Sequence, residues 1–131
     1  MVKRVLIVDD ALIMRMKIKE IAEQAGWEIA GQAASGTEAV ERYREVKPDL
    51  VTMDIIMPEM DGVAALRAIR NQDPQAQVVM VSAVDQREKL MECIRLGAVD
   101  FVVKPFDTDR LRNFFDKLRR VGESDREGAV R

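Results

Sequence analysis

An open, parallel α/β sheet with helices on both faces is the fold class the sequence predicts, and two observations carry the prediction. Short apolar runs rich in β-branched residues alternate with longer stretches of helical period, five of each along the chain. No linker, internal repeat or low-complexity segment divides the 131 residues, a length that suffices for one core. Parallel neighbours need crossover connections, and these are right-handed, so five strands each followed by a helix form one sheet covered on both sides.

The first strand is Val5-Leu6-Ile7-Val8. A helix over about 12–25 follows, because Met14, Ile18, Ile21, Ala22 and Ala25 recur at three- and four-residue spacing and Gly26 supplies a stop. A weaker strand occupies Glu28 to Gln32. Ser35 and Glu38 have the spacing of a capping box for a second helix that turns Ala39, Val40, Tyr43 and Val46 inward and ends before Pro48. The third strand is Leu50-Val51-Thr52-Met53. A loop containing Met57-Pro58-Glu59-Met60 leads to a third helix from Asp61 to Asn71, with Val63, Leu66 and Ile69 on one side and Asp73-Pro74 at its exit. Val78 to Val81 forms the fourth strand, and Asp85 with Glu88 opens a helix whose inward residues are Leu90, Cys93 and Ile94 before Gly97. The fifth strand is Val99 to Val103, and the last helix begins at Asp107 or Thr108 and presents Leu111, Phe114, Phe115 and Leu118. After Val121 the apolar pattern stops, which predicts a polar, disordered tail over 122–131.

Composition narrows the chemistry. Apolar residues make up 47% and charged residues 34%, with 21 basic against 23 acidic side chains, so a polyanion-binding face is not favoured. One cysteine, Cys93, excludes an internal disulfide, and without a signal peptide or a long apolar run the expected location is the cytoplasm. Histidine is absent altogether. This removes imidazole bases, Ser-His-Asp and Cys-His pairs, His-ligated zinc and a phosphohistidine on the chain itself, leaving carboxylates, lysine, hydroxyls and a hard metal ion.

Polar residues fall at the strand ends. The first strand runs into Asp9-Asp10, the third into Asp54, the fourth into Ser82 and the fifth into Lys104. In open α/β sheets ligands bind outside the carboxyl ends of the strands. Each residue alone can be a solvated turn residue, and the aspartates can be helix caps. Together, three carboxylates about 5 Å apart would repel by roughly 3 kcal/mol per pair at an effective dielectric of about 20, a liability without a cation or perturbed proton affinities, and the cluster is read as a metal site. An all-oxygen site suits magnesium, which keeps several waters that a phosphoryl oxygen can replace. Lys104 and Ser82 complement such a group, and Asp54, with carboxylates to one side and hydroxyl and ammonium to the other, is the best-placed nucleophile.

Val8-Asp9-Asp10, the run Met53-Asp54-Ile55-Ile56-Met57-Pro58-Glu59-Met60-Asp61-Gly62, Ser82-Ala83 and Lys104-Pro105-Phe106 stand in an order and spacing that resembles bacterial response-regulator receiver domains, most closely stand-alone chemotaxis regulators of the CheY type. The resemblance covers Lys3 to Leu118, and makes 1–121 the receiver domain. It implies the flavodoxin-like strand order 2-1-3-4-5, taken from the family. It implies Asp54 as phosphoacceptor; Asp10, Asp54 and the Ile56 backbone carbonyl as direct ligands of Mg2+ (or Mn2+), with Asp9 helping through water or directly; Ser82, the Ala83 N–H and Lys104 around the phosphoryl oxygens; and a cis bond before Pro105. Ser82 and Phe101 are the implied switch pair, with Phe101 where chemotaxis regulators often have tyrosine, so a hydroxyl contact to a partner is missing; the alternative for Phe101 is an ordinary core aromatic beside Val99 and Val103. Met57, Met60 and Met91 are either adaptable contact residues or core filler. Ile56 and Val84 sit at positions that tune water access, and both being apolar predicts slow loss of phosphate.

The implied function is a phosphorylation-switched binding module, not an enzyme. It takes phosphate from a histidine kinase and signals through its last helix pair and fifth strand to the flagellar motor switch, with an aspartyl-phosphate phosphatase as a further partner. Nucleic acid, membrane and self-association are not expected. A receiver of a non-chemotactic phosphorelay, or one cut from a larger regulator, is the alternative within the family. A magnesium-dependent phosphatase is the alternative from another class, although Asp9 and Asp10 are adjacent where a haloacid-dehalogenase-type enzyme needs Asp-x-Asp. A flavin carrier lacks its Ser/Thr/Gly phosphate loop here.

Overall fold

The computed structural model describes residues 2–130, and the side chains of all of these except 84 and 121–130. Five strands, β1 (Arg4–Val8), β2 (Glu28–Ala33), β3 (Leu50–Met53), β4 (Val78–Ala83) and β5 (Asp100–Lys104), alternate with five helices, α1 (Leu12–Gln24), α2 (Gly36–Val46), α3 (Gly62–Gln72), α4 (Arg87–Arg95) and α5 (Thr108–Val130). All pairings are parallel and the order is β2-β1-β3-β4-β5. Between Val5 and Leu6 the β1–β2 register slips by one residue, so Val5 faces Ile29 while Leu6 faces Gly31.

The central strands β1, β3 and β4 are buried on both faces, and their alternation divides the core in two. Leu6, Val8, Val51, Met53, Val78 and Met80 meet Ala39, Tyr43, Leu66, Ile69, Leu90 and Cys93 from α2, α3 and α4. Val5, Ile7, Leu50, Val79, Val81 and Val102 meet Ile18, Ile21, Leu111 and Phe115 from α1 and α5. Trp27 seals the second half, edge-on to Phe115 at 5.5 Å, with its Nε1–H donating to the Phe115 carbonyl at 3.1 Å.

The helix ends follow local chemistry. The Ser35 hydroxyl accepts the Glu38 N–H at 3.1 Å, and the Asp61 carboxylate accepts the Ala64 N–H at 2.9 Å. The Asp107 carboxylate accepts the Arg110 N–H at 2.8 Å at the start of α5. Gly26 and Gly97 take φ of 88° and 102° after α1 and α4, the left-handed conformation that a side chain would strain.

Three local expectations need correction. Asp85 does not open α4, because a short 3-10 turn, Val84–Gln86, intervenes and the cap position passes to Gln86 with no side-chain bond. Ile94 is 38% exposed and Val99 40%, so neither joins the core. Strand β5 begins one residue later, at Asp100, which leaves Val99 outside it and keeps Phe101 and Val103 on one face and Val102 on the other. Helix α5 runs as backbone to Val130; the expectation of a disordered tail over 122–131 falls on residues whose side chains lie outside the described ones.

Candidate functional site

The parallel sheet brings the carboxyl ends of β1, β3, β4 and β5 to one rim, where Asp9, Asp10, Asp54, Ser82 and Lys104 lie, while Phe101 stands further back on β5 opposite Met80. Asp9 follows β1 and is 1% exposed, Asp54 follows β3 and is 8% exposed, and Asp10 stands in solvent beside them. One carboxylate oxygen from each lies within 4.8 Å of the others. Lys104, the last residue of β5, reaches over from the far side of the rim, its Nζ 2.8 Å from Asp9 Oδ2 and 3.4 Å from Asp54 Oδ2. The sequence gives Lys104 a phosphoryl partner; the structure has it bridging two carboxylates.

Burial pushes the Asp54 carboxyl above the ordinary carboxylate value, the Lys104 ammonium pulls it back, the Asp9 carboxylate raises it again, and the Ile55 N–H, donating to Oδ1 at 2.8 Å, favours the ionised form. One ammonium thus faces three acids, and negative charge remains in excess. The donor set is all carboxylate, partly buried and open to water at Asp10, which fits a hard divalent cation that keeps its waters.

Ser82 supplies a second sign of a polar ligand. Its side chain is 1% exposed and its Oγ has no hydrogen-bond partner. A buried hydroxyl left unbonded costs about 1–3 kcal/mol, a deficit an incoming oxygen at the rim can remove. Ala83 ends β4 in an exposed position beside it. Phe101 is half-buried and shares the α2-α3-α4 side of the sheet with Val103, which pairs with Ser82 across β4 and β5. Of the methionines, Met57 and Met60 pack into the core, while Met91 is 51% exposed. Ile56 is 50% exposed beside the acids. The Lys104–Pro105 peptide is cis.

The loop after Asp54 is held by close backbone contacts. Glu59 adopts φ of 67°, with the Met60 N–H donating back to the Pro58 carbonyl at 2.8 Å in a three-residue turn. The Gly36 N–H donates to the Met60 carbonyl at 2.9 Å, and the Gly62 N–H to Ile55 at 2.7 Å. A Cβ on Gly62 would overlap the Asp54 carbonyl oxygen, and one on Gly36 would overlap that of Met60. Gly62 belongs to the motif run; the part played by Gly36 had no signal, since a glycine beside a cap serine reads as part of the turn. Arg15 was also missed. From the first turn of α1 its Nη1 donates to the Asp9 carbonyl at 2.7 Å and its Nε to Gln32 Oε1 at 3.1 Å.

A cleft of about 350 Å³ lies away from the rim, where α2 and α3 end, lined by Tyr43, Arg44, Lys47, Pro48, Gln72 and Asp73. None of the expected site residues lines it.

The comparisons agree with this geometry. The model of the response regulator receiver domain matches residues 5–116. The chain is 51% identical over 118 residues to "Chemotaxis protein CheY" of Thermotoga maritima, covering 90% of this chain and 98% of that protein. It is 50% identical over 117 residues to the protein of the same name from Bacillus subtilis, covering 89% and 98%. Among solved structures, the CheX-CheY-BeF3-Mg+2 complex from Borrelia burgdorferi matches with a TM-score of 0.80 at 36% identity, covering 93% of this chain and 88% of that one. The REC domain of AraT from Geobacillus stearothermophilus matches with 0.87 at 31% identity, covering 96% and 99%. A matched model over nearly the whole chain, half-identical relatives and the acidic rim at the ends of a 2-1-3-4-5 sheet together mean that this chain belongs to the response regulator receiver domain family.

Proposed function

We propose that the chain is a chemotaxis response regulator that accepts a phosphoryl group on Asp54 from a histidine kinase and thereby changes what its surface binds. The observation that carries this reading is the rim itself: a buried carboxylate, Asp54, grouped with two further acids, with Lys104 bridging it to Asp9 and an unbonded Ser82 hydroxyl near the end of the neighbouring strand. Its half-identical relatives bear the name of a chemotaxis protein.

Asp9, Asp10, Asp54 and the Ile56 backbone carbonyl would hold Mg2+, which when bound neutralises charge on the transferring phosphoryl oxygens. An Asp54 oxygen attacks phosphorus in line as the bond from phosphorus to the kinase imidazole nitrogen breaks; that nitrogen keeps the electron pair and takes a proton from solvent. Lys104 shifts from the carboxylates toward the new phosphoryl group, and the Ser82 hydroxyl and Ala83 N–H donate to its oxygens. The modification adds about −1.5 to −2 charge at the rim, and drawing Ser82 toward it opens space on the side of the sheet where Phe101 is half-buried.

The partners of this reading are a histidine kinase, the flagellar motor switch and a phosphatase; a related CheY has been solved in complex with a second protein, CheX, which supports output through binding. Among the described residues no helix is long and apolar enough to cross a membrane. The test is incubation with Mg2+ and acetyl phosphate, or with beryllofluoride, beside Asp54→Asn. One phosphoryl group per chain, lost in the variant, supports the switch. Steady turnover of a small phosphate ester by the wild type would instead identify a phosphatase. The exposed apolar side chain of Ile56 next to the acids further predicts a phosphoaspartate that outlasts seconds without a phosphatase.

A further inference from the structure

The turn that carries the first two acids is held from three directions. The Asp9 N–H donates to the Ala33 carbonyl at 3.0 Å, and Asp9 Oδ1 accepts the Ala11 N–H at 2.9 Å. The third hold is Arg15 on the Asp9 carbonyl. That carbonyl belongs to the peptide joining Asp9 to Asp10, and because a peptide is planar, fixing its oxygen fixes the torsion leaving Asp9 and with it the place of the Asp10 Cα. Helix α1 has no side-chain cap of its own to do this. Gln32, near the end of the edge strand β2, takes the other arm of the guanidinium and sets its direction. Asp10 itself is exposed, so the peptide before it is what aims its carboxylate.

We propose that Arg15 is a positioning residue of the rim: forked between the Asp9 carbonyl and Gln32, it sets the angle at which the Asp9 and Asp10 carboxylates meet a divalent cation. The inference rests on the acidic trio being the cation site. Its guanidinium contacts no carboxylate among these bonds, so its effect is exerted through geometry, and a lysine, which cannot fork, does not replace it.

The test is Mg2+ titration by calorimetry on wild type, Arg15→Lys, Arg15→Ala and Gln32→Leu, with metal-free melting temperatures alongside. Loss of an outer partner of a metal ligand typically costs about 10–100-fold in affinity. We expect binding about tenfold weaker for both arginine variants, a smaller loss for Gln32→Leu, and a metal-free melting temperature of Arg15→Lys equal to that of wild type. Unchanged affinity in the variants overturns the inference. So does tighter binding in Arg15→Ala with Arg15→Lys unchanged, because the arginine would then act by charge alone. A melting temperature of Arg15→Lys that falls with its affinity also overturns it, as general loosening. Failure of the wild type to bind Mg2+ overturns the reading of the acidic trio, and this inference with it.

Discussion

Replacing Asp54 with asparagine is expected to stabilise the metal-free protein while abolishing phosphorylation. The side chain keeps its shape, and its carbonyl oxygen still accepts the Ile55 N–H at 2.8 Å. What is lost is the charge. With Asp9 within 4.8 Å, the repulsion between the two carboxylates is about 3.5 kcal/mol at an effective dielectric of about 20. The attraction of Lys104 at 3.4 Å is about 5 kcal/mol on the same basis. Lys104 is shared, however, with Asp9 at 2.8 Å, and a buried carboxylate also bears a desolvation penalty of several kcal/mol. Desolvation is the largest influence on Asp54 and its carboxyl is raised overall, so ionisation of this residue opposes folding. A net gain of about 1–2 kcal/mol for the asparagine variant is expected, or about 3–8 °C in melting temperature for a domain of this size.

The sign with pH follows from linkage. A raised carboxyl means that the folded chain holds this proton more tightly than the unfolded one, so wild-type stability falls as pH rises through that interval. The gain in the variant is therefore complete above the folded-state value and disappears below the unfolded one. The assay is thermal unfolding with chelator and with Mg2+, at neutral and acid pH. Mg2+ stabilises the wild type by mass action and the variant much less. A variant that melts at or below the wild-type temperature in chelator, or that gains as much from Mg2+, would refute the electrostatic reasoning.

Gly62→Ala places a methyl against the Asp54 carbonyl oxygen, a clash of backbone with backbone. It should cost about 3 kcal/mol in chemical denaturation and reduce phosphorylation by acetyl phosphate, and wild-type values for both would show that the loop yields. Tyr43→Phe removes the 2.7 Å bond to Asp73, which holds that carboxyl below its ordinary value, so Asp73 should titrate higher by NMR. A depressed acid lends stability above its unfolded value, so any deficit of the variant should shrink as pH falls through the folded Asp73 value. Cys93 is fully buried and its thiol is pushed up to about 11 by burial, so it should resist thiol reagents at neutral pH until the chain unfolds. Rapid labelling of native protein would contradict this.

Legibility in the sequence followed the strength of the local signal. Strand β3 and the cap Ser35 were readable because a run of branched residues, or a hydroxyl ahead of an amphipathic stretch, acts over a few residues, whereas Asp61, read as the first residue of α3, is its cap. Ile94 and Val99 were misread because an apolar residue at the right spacing faces inward only if an element covers it, and cover is a tertiary matter. The members of the rim were legible from their place after each strand, since the parallel topology carries every strand end to one side. Their electrostatic balance was not.

The sequence by itself determined the alternation of elements, the sidedness of the site and the chemistry available to it: no imidazole, three acids, one lysine and one hydroxyl at the strand ends. Period and residue type act locally, and so survive reading in one dimension. Only the tertiary structure decided that Lys104 bridges Asp9 and Asp54, that the Ser82 hydroxyl is buried unbonded, and that Arg15 and Gly36 hold the two loops of the rim. These depend on distances between residues far apart in the chain. Lys104 and Asp9 are 95 positions apart, and packing of the sheet and helices alone brings them to 2.8 Å.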